Sequence, residues 1–148
     1  MRMPIANLLV VALVMAPLAA PAADTDPYVV SPLAIAIGQE RVGDQLLRWV
    51  RYSSESEYPC LRVELLATPA LELLERQEIC TLPGANGQPL DLRYDVARVD
   101  FADLAIINGR VRFAAELMPL DGSTLNWYCE VKLADGHLQP LRCLPPLQ

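Results

Sequence analysis

The chain has 148 residues, with 12 basic and 18 acidic side chains giving a net charge of −6, one histidine and four cysteines. That balance excludes the broad basic face by which proteins hold nucleic acid or anionic membrane surfaces. Apolar residues at 53% exclude a disordered chain, and the length suits one domain of ordinary size.

The first element reads as an address. Arg2 near the start, an unbroken apolar run over 8–15 and small residues over 16–23 follow the order of a secretory signal peptide. Ala20-Pro21-Ala22 fits the small-x-small rule, so cleavage is expected after Ala22. This gives a signal over 1–22 and a single stapled domain over 23–148. Pro17 and Pro21 break the apolar run short of the ~20 residues a membrane span needs, so no stable anchor is expected after cleavage. The expected compartment is the periplasm, with full secretion as the alternative.

Residues 28–30 and 33–37 are short apolar stretches, and 46–52 fits either a strand or a short helix. Residues 53–59 read as a polar, acidic loop ahead of Cys60. Trp49, Tyr52, Glu55, Glu57 and Tyr58 lie close together there. Trp and Tyr are enriched at binding hot spots, so these five form the candidate partner-binding set. The competing reading packs the rings into the core.

Cys60, Cys80, Cys129 and Cys143 all fall in the exported part. An even count in an exported chain reads as disulfides. The wide spacing lacks the close Cys-x-x-Cys pairs of zinc and redox sites. Setting Cys60 opposite Cys80 brings Arg62 opposite Glu78, Glu64 opposite Arg76 and Leu66 opposite Leu74, which predicts a hairpin. The rival is a helix over 69–79, with Thr68 as cap and Pro69 at its first position. Leu71 stands where a capping box wants Glu or Gln, so the hairpin is preferred. Residues 81–89, with Gly84, Asn86 and Gly87, read as a loop and as the seam between two stapled halves.

The second half reads as a meander. Asn108-Gly109 is a tight hairpin signal. A two-residue turn there sets Ile106 against Val111, Leu104 against Phe113 and Ala102 against Ala115 on one apolar face. The other face carries Asp103, Arg110, Arg112 and Glu116, with Phe101 and Ile107 as apolar exceptions. A loop over 119–123 then sets Leu117 against Leu125, Ala115 against Trp127, Phe113 against Cys129 and Val111 against Val131. Arg112 meets Glu130 on the opposite face, a favourable cross-strand pair. A loop over 135–137 sets Cys129 against Cys143 and Val131 against Leu141. Pro140 cannot donate to a ladder, so this last strand should lie at an edge or carry a bulge. The expected fold is all-β: a small antiparallel barrel or two-sheet sandwich of about six to eight strands with a C-terminal meander. The alternative is α+β, with the helix at 69–79.

No catalytic, cofactor-binding or metal-binding group emerges. His137 stands alone in a hairpin loop, without the Gly-x-Ser-x-Gly that would make it part of a hydrolase triad. Phosphate-loop and calcium-loop patterns are missing. The function expected is therefore a non-catalytic exported binding protein, most concretely an inhibitor or immunity protein against a toxic or lytic enzyme of the envelope. An acidic protein would be steered to a basic envelope or secreted hydrolase. The alternatives are an accessory subunit of an envelope assembly, docking through the Pro140 edge and the Pro-rich tail; a carrier of a small hydrophobic ligand; and an enzyme using carboxylates alone.

Overall fold

A computed structural model describes residues 33–53 and 58–145 of the chain. The expected signal peptide, Glu55 and Glu57 lie outside the described residues. Those described form eleven strands and no helix. Strands β1 (Ala34–Val42), β2 (Gln45–Tyr52), β3 (Leu61–Ala67) and β4 (Glu72–Ile79) make a four-stranded antiparallel sheet in chain order. Strands β5 (Thr81–Pro83) and β6 (Pro89–Asp91) pair as a short ribbon. Strands β7 (Val96–Ile106), β8 (Arg110–Pro119) and β9 (Leu125–Ala134) form the meander. Its far edge is completed by β10 (His137–Leu138) and β11 (Arg142–Leu144), which pair in turn with β9.

These assignments bear out the preferred hairpin between Cys60 and Cys80 and correct one segment, 81–89. Residues 68–71 form a turn and Glu72–Ile79 is strand β4, so the alternative helix over 69–79 does not form: Arg62, Glu64 and Leu61 of β3 find partners across the ladder in Glu78, Arg76 and Ile79. The segment 81–89 is not a bare loop: Thr81, Leu82 and Pro83 pair with Asp91, Leu90 and Pro89 around the Asn86-Gly87 turn.

The disulfides join Cys60 to Cys80 and Cys129 to Cys143, with Cα atoms 4.6 and 4.1 Å apart. Facing positions on antiparallel strands place Cβ atoms within reach of such a bond. The expected ladder from β8 to β9 holds throughout, from Val111 opposite Val131 to Leu117 opposite Leu125.

Three of the expected registers slip by one residue. In β7 a bulge between Ala102 and Ala105, with Asp103 at φ 53°, sets Phe101 rather than Ala102 opposite Ala115. The slip turns Phe101 inward, 5% exposed, with its ring edge-on to Phe113 at 5.6 Å. Burying an aromatic ring in place of a methyl group favours this register over the regular one. In β4 a bulge sets Leu66 opposite Leu73, and Leu74, its expected partner, is left 45% exposed. At the C-terminus a two-residue Asp135-Gly136 turn pairs His137 with Ala134, and the chain breaks ladder at 139–141 before resuming with Arg142 opposite Glu130. Val131 and Leu141 therefore do not pair as expected, and Pro140 falls in the break, where its missing N–H costs nothing.

The core lies between the two sheets. Leu47, Trp49, Leu61 and Val63 from the first meet Phe101, Val111, Phe113 and Leu117 from the second. The sheets approach along two seams, β1 beside β7 and β4 beside β10. No ladder crosses either seam among the described residues. Side chains bridge them instead. Arg51 of β2 reaches Asp100 of β7 at 2.9 Å. Glu75 of β4 accepts the Leu138 N–H of β10 at 2.8 Å and pairs with Nδ1 of His137. The two seams make one barrel-like enclosure from two sheets.

Candidate functional site

Strand alternation turns Val111, Phe113, Ala115 and Leu117 of β8 inward and leaves Arg110, Arg112, Ala114 and Glu116 on the outer face. The bulge in β7 matters here, because it aligns Ala102 with Ala114 and Ala105 with Arg112 on that same outer face. Three alanines thus share a small area of exposed sheet. Alanine is depleted in strands, where larger side chains cover the backbone. Here the missing bulk leaves a trough.

The trough has a volume of about 770 Å3; Ala105, Ala114, Ile107, Tyr128 and Leu144 line it, together with the charged Asp103, Arg112, Glu130 and Arg142. A smaller hollow of about 320 Å3 continues it past Ala102 and Tyr128 toward Glu116. The main trough carries large apolar groups in solvent: Ile107 is 45%, Tyr128 57% and Leu144 70% exposed. Exposed apolar residues gathered round a concavity mark interaction surfaces more often than singly scattered ones do.

One end of the trough is cationic. Glu130 accepts from Arg110 Nη1 at 3.1 Å and lies 3.4 Å from Arg112 Nε. Arg142 stands opposite Glu130, and Lys132 opposite Arg110, on the neighbouring strands. Neither Arg142 nor Lys132 has a carboxylate partner among the described residues. Arg112 and Arg142 line the trough and Arg110 and Lys132 the adjoining hollow, so four cations surround Glu130, while Asp103 is a second carboxylate in the trough lining, in a chain whose overall charge is −6.

The residues singled out from sequence are divided by the fold. Trp49 points inward and is 9% exposed, packed with the core, so it is not an exposed anchor. Tyr52 lies three positions further along the strand and takes the opposite face. It meets the Tyr58 ring edge-on at 4.9 Å. The Arg62 guanidinium sits 5.3 and 5.5 Å from the two ring centres and 3.2 Å from Glu78. Burial pushes the Tyr58 hydroxyl up to about 12, helped by Glu78, and burial also raises Tyr52. This cluster is a packed, ion-paired corner, remote in sequence from the trough.

Among the described residues, the His137 ring meets the Glu75 carboxylate. The backbone N–H of Leu138, then His137 itself, hold the Glu75 carboxyl below the usual carboxylate range. Among the described residues no group of three or more His, Cys, Asp or Glu is placed to hold a metal ion. No protein-family model, curated protein or solved structure matches the chain.

The trough escapes a strand-by-strand reading because its residues come from β7, β8, β9 and β11. One signal was available: outward positions filled by alanine beside the alternating Arg110 and Arg112.

Proposed function

We propose that the protein is an exported, non-catalytic binding protein whose recognition surface is the trough on the second sheet. Two disulfides indicate an oxidising, extracytoplasmic environment. The leader-like start of the sequence supports the periplasm as that environment. The observation that carries the reading is the trough itself, where exposed Ile107, Tyr128 and Leu144 surround an alanine floor. Rings and aliphatic groups held at such a floor are the anchors that protein interfaces use.

The most concrete form of the reading is an inhibitor or immunity protein acting on a toxic or lytic envelope enzyme. Net negative charge would speed encounter with a basic hydrolase, and the trough would make the contact. Ala114→Arg fills the trough from an outward position without entering the core. Oxidised protein and this variant are used in parallel to capture partners from envelope and secreted extracts, and any hydrolase retained is assayed for inhibition. A basic hydrolase retained in equal proportion and inhibited by the native protein but not by Ala114→Arg supports the reading. Equal inhibition by both removes the trough from it. A multiprotein envelope complex in place of a hydrolase replaces inhibition with an accessory role.

A further inference from the structure

Given a recognition role for the trough, we propose that its occupant is an extended, acidic segment of a protein partner, with an apolar residue over Ala114 and acids two and four positions away. The spacing comes from β8. Ala114, Arg112 and Arg110 succeed one another on the outer face at every second residue. A strand advances ~3.3 Å per residue, so an extended segment laid along β8 has the same period. Its residue over Ala114 meets a floor without side-chain bulk, walled by Tyr128 and Leu144, with Asp103 also in the lining. Its next two residues on that side meet Arg112 and then Arg110.

The charge favours acids at those two places. Glu130 occupies one side of Arg110 and Arg112, and each guanidinium carries five N–H donors, more than Glu130 accepts. Arg142 and Lys132 add two cations that no carboxylate neutralises among the described residues. With Asp103 counted beside Glu130, four cations stand against two carboxylates, so the local sign is still opposite to that of the chain, and an acidic segment is favoured over a basic one at the Arg110 end. Glu130 also holds Arg110 and Arg112 in place, which lowers the ordering cost of binding. A single-headed anion can bridge two neighbouring cations, as Glu130 does, but not all four. Their spread over β8, β9 and β11 suits a segment with several acids.

Two acetylated, amidated peptides test the inference. One carries phenylalanine, glutamate and glutamate at alternate positions among serines, and its twin carries lysine for glutamate. Binding to the oxidised full chain is followed by fluorescence anisotropy, with dodecanoate as a competing anion. The glutamate peptide should bind at least about tenfold more tightly than its twin, a modest sum of exposed ion pairs. Arg112→Glu/Arg142→Glu, both changes on the surface, should reverse that order. Raising salt should weaken the glutamate peptide alone. Equal affinity of the two peptides, lost together in Ala114→Arg, overturns the acidic occupant while leaving the trough as the recognition surface. Binding unaffected by either variant overturns both, as the peptide is then held elsewhere. Dodecanoate binding more tightly than the glutamate peptide overturns a protein segment in favour of an anionic amphiphile. Failure of both peptides to bind overturns the inference, and partner capture by native protein against Ala114→Arg still decides the broader reading.

Discussion

Gly38→Ala sets two effects of opposite sign against each other. Gly38 lies in β1 opposite Trp49 of β2. A methyl group on its Cα would stand 2.2 Å from Trp49 Nε1 and 2.3 Å from Cε2, far inside contact distance. At a strand position without such a neighbour, Gly→Ala stabilises by about 0.5–1 kcal/mol, because alanine loses less backbone freedom on folding. Here the indole must move, and it is buried among Leu47 and Val63 of the core. Overpacking of this kind costs about 1–3 kcal/mol. The net expectation is destabilisation by about 1–2 kcal/mol, or roughly 0.5–1 M in a urea midpoint. Trp49→Ala alone should cost about 3–5 kcal/mol, as for other large aromatic deletions. In that background Gly38→Ala should become neutral or stabilising, giving a coupling of about 2 kcal/mol between the two positions. Equilibrium urea unfolding of the four oxidised proteins, followed by circular dichroism, measures the cycle. A stabilised single Gly38→Ala variant, or strict additivity in the double, would refute the packing of the indole on Gly38.

Three further outcomes are expected. Replacing either cystine by two alanines should cost about 3 kcal/mol, since the closed loops span 20 and 14 residues. Non-reducing peptide mapping should recover only the 60–80 and 129–143 links. Glu75 has a lowered folded pKa, so its contribution is present above the ordinary value of 4.5 and is lost as pH falls through the lower folded value. Glu75→Gln should therefore flatten the acid side of the stability curve below pH 4.5, and an unchanged acid midpoint would rule out the β4–β10 bridge. Tyr58 has a raised pKa, so its contribution is present below 10 and is lost as pH rises through about 12. Absorbance titration at high pH should show a phenolate step near pH 12 that Tyr58→Phe deletes.

Much of the fold is legible because burial, charge pairing and staples agree along the same registers. Cys129 opposite Cys143, Arg112 opposite Glu130 and Phe113 opposite Cys129 each follow from the others. The first staple works likewise through Arg62–Glu78 and Glu64–Arg76. Where one signal stands alone, less is legible. Trp49, Tyr52 and Tyr58 are neighbours in sequence, but Trp49 and Tyr52 are separated by an odd interval and fall on opposite faces of β2. Parity alone would have divided them.

Bulges are harder to read, since one added residue in a ladder carries no composition of its own. The β7 bulge nevertheless has a trace in sequence. With a regular hairpin Phe101 faces solvent among charges and Ala102 faces the core, which inverts the burial that each side chain favours. One extra residue at Asp103, a residue type that tolerates positive φ, exchanges the two. The same exchange moves Ala102 outward to join Ala105 and Ala114. A single-residue adjustment that buries a phenylalanine thus also creates the trough. Core and candidate site are therefore coupled through the bulge at Asp103: a regular register of the same residues would turn Phe101 out and lay Asp103 over Ala114, whereas deleting Asp103 would remove the bulge and keep Phe101 opposite Ala115.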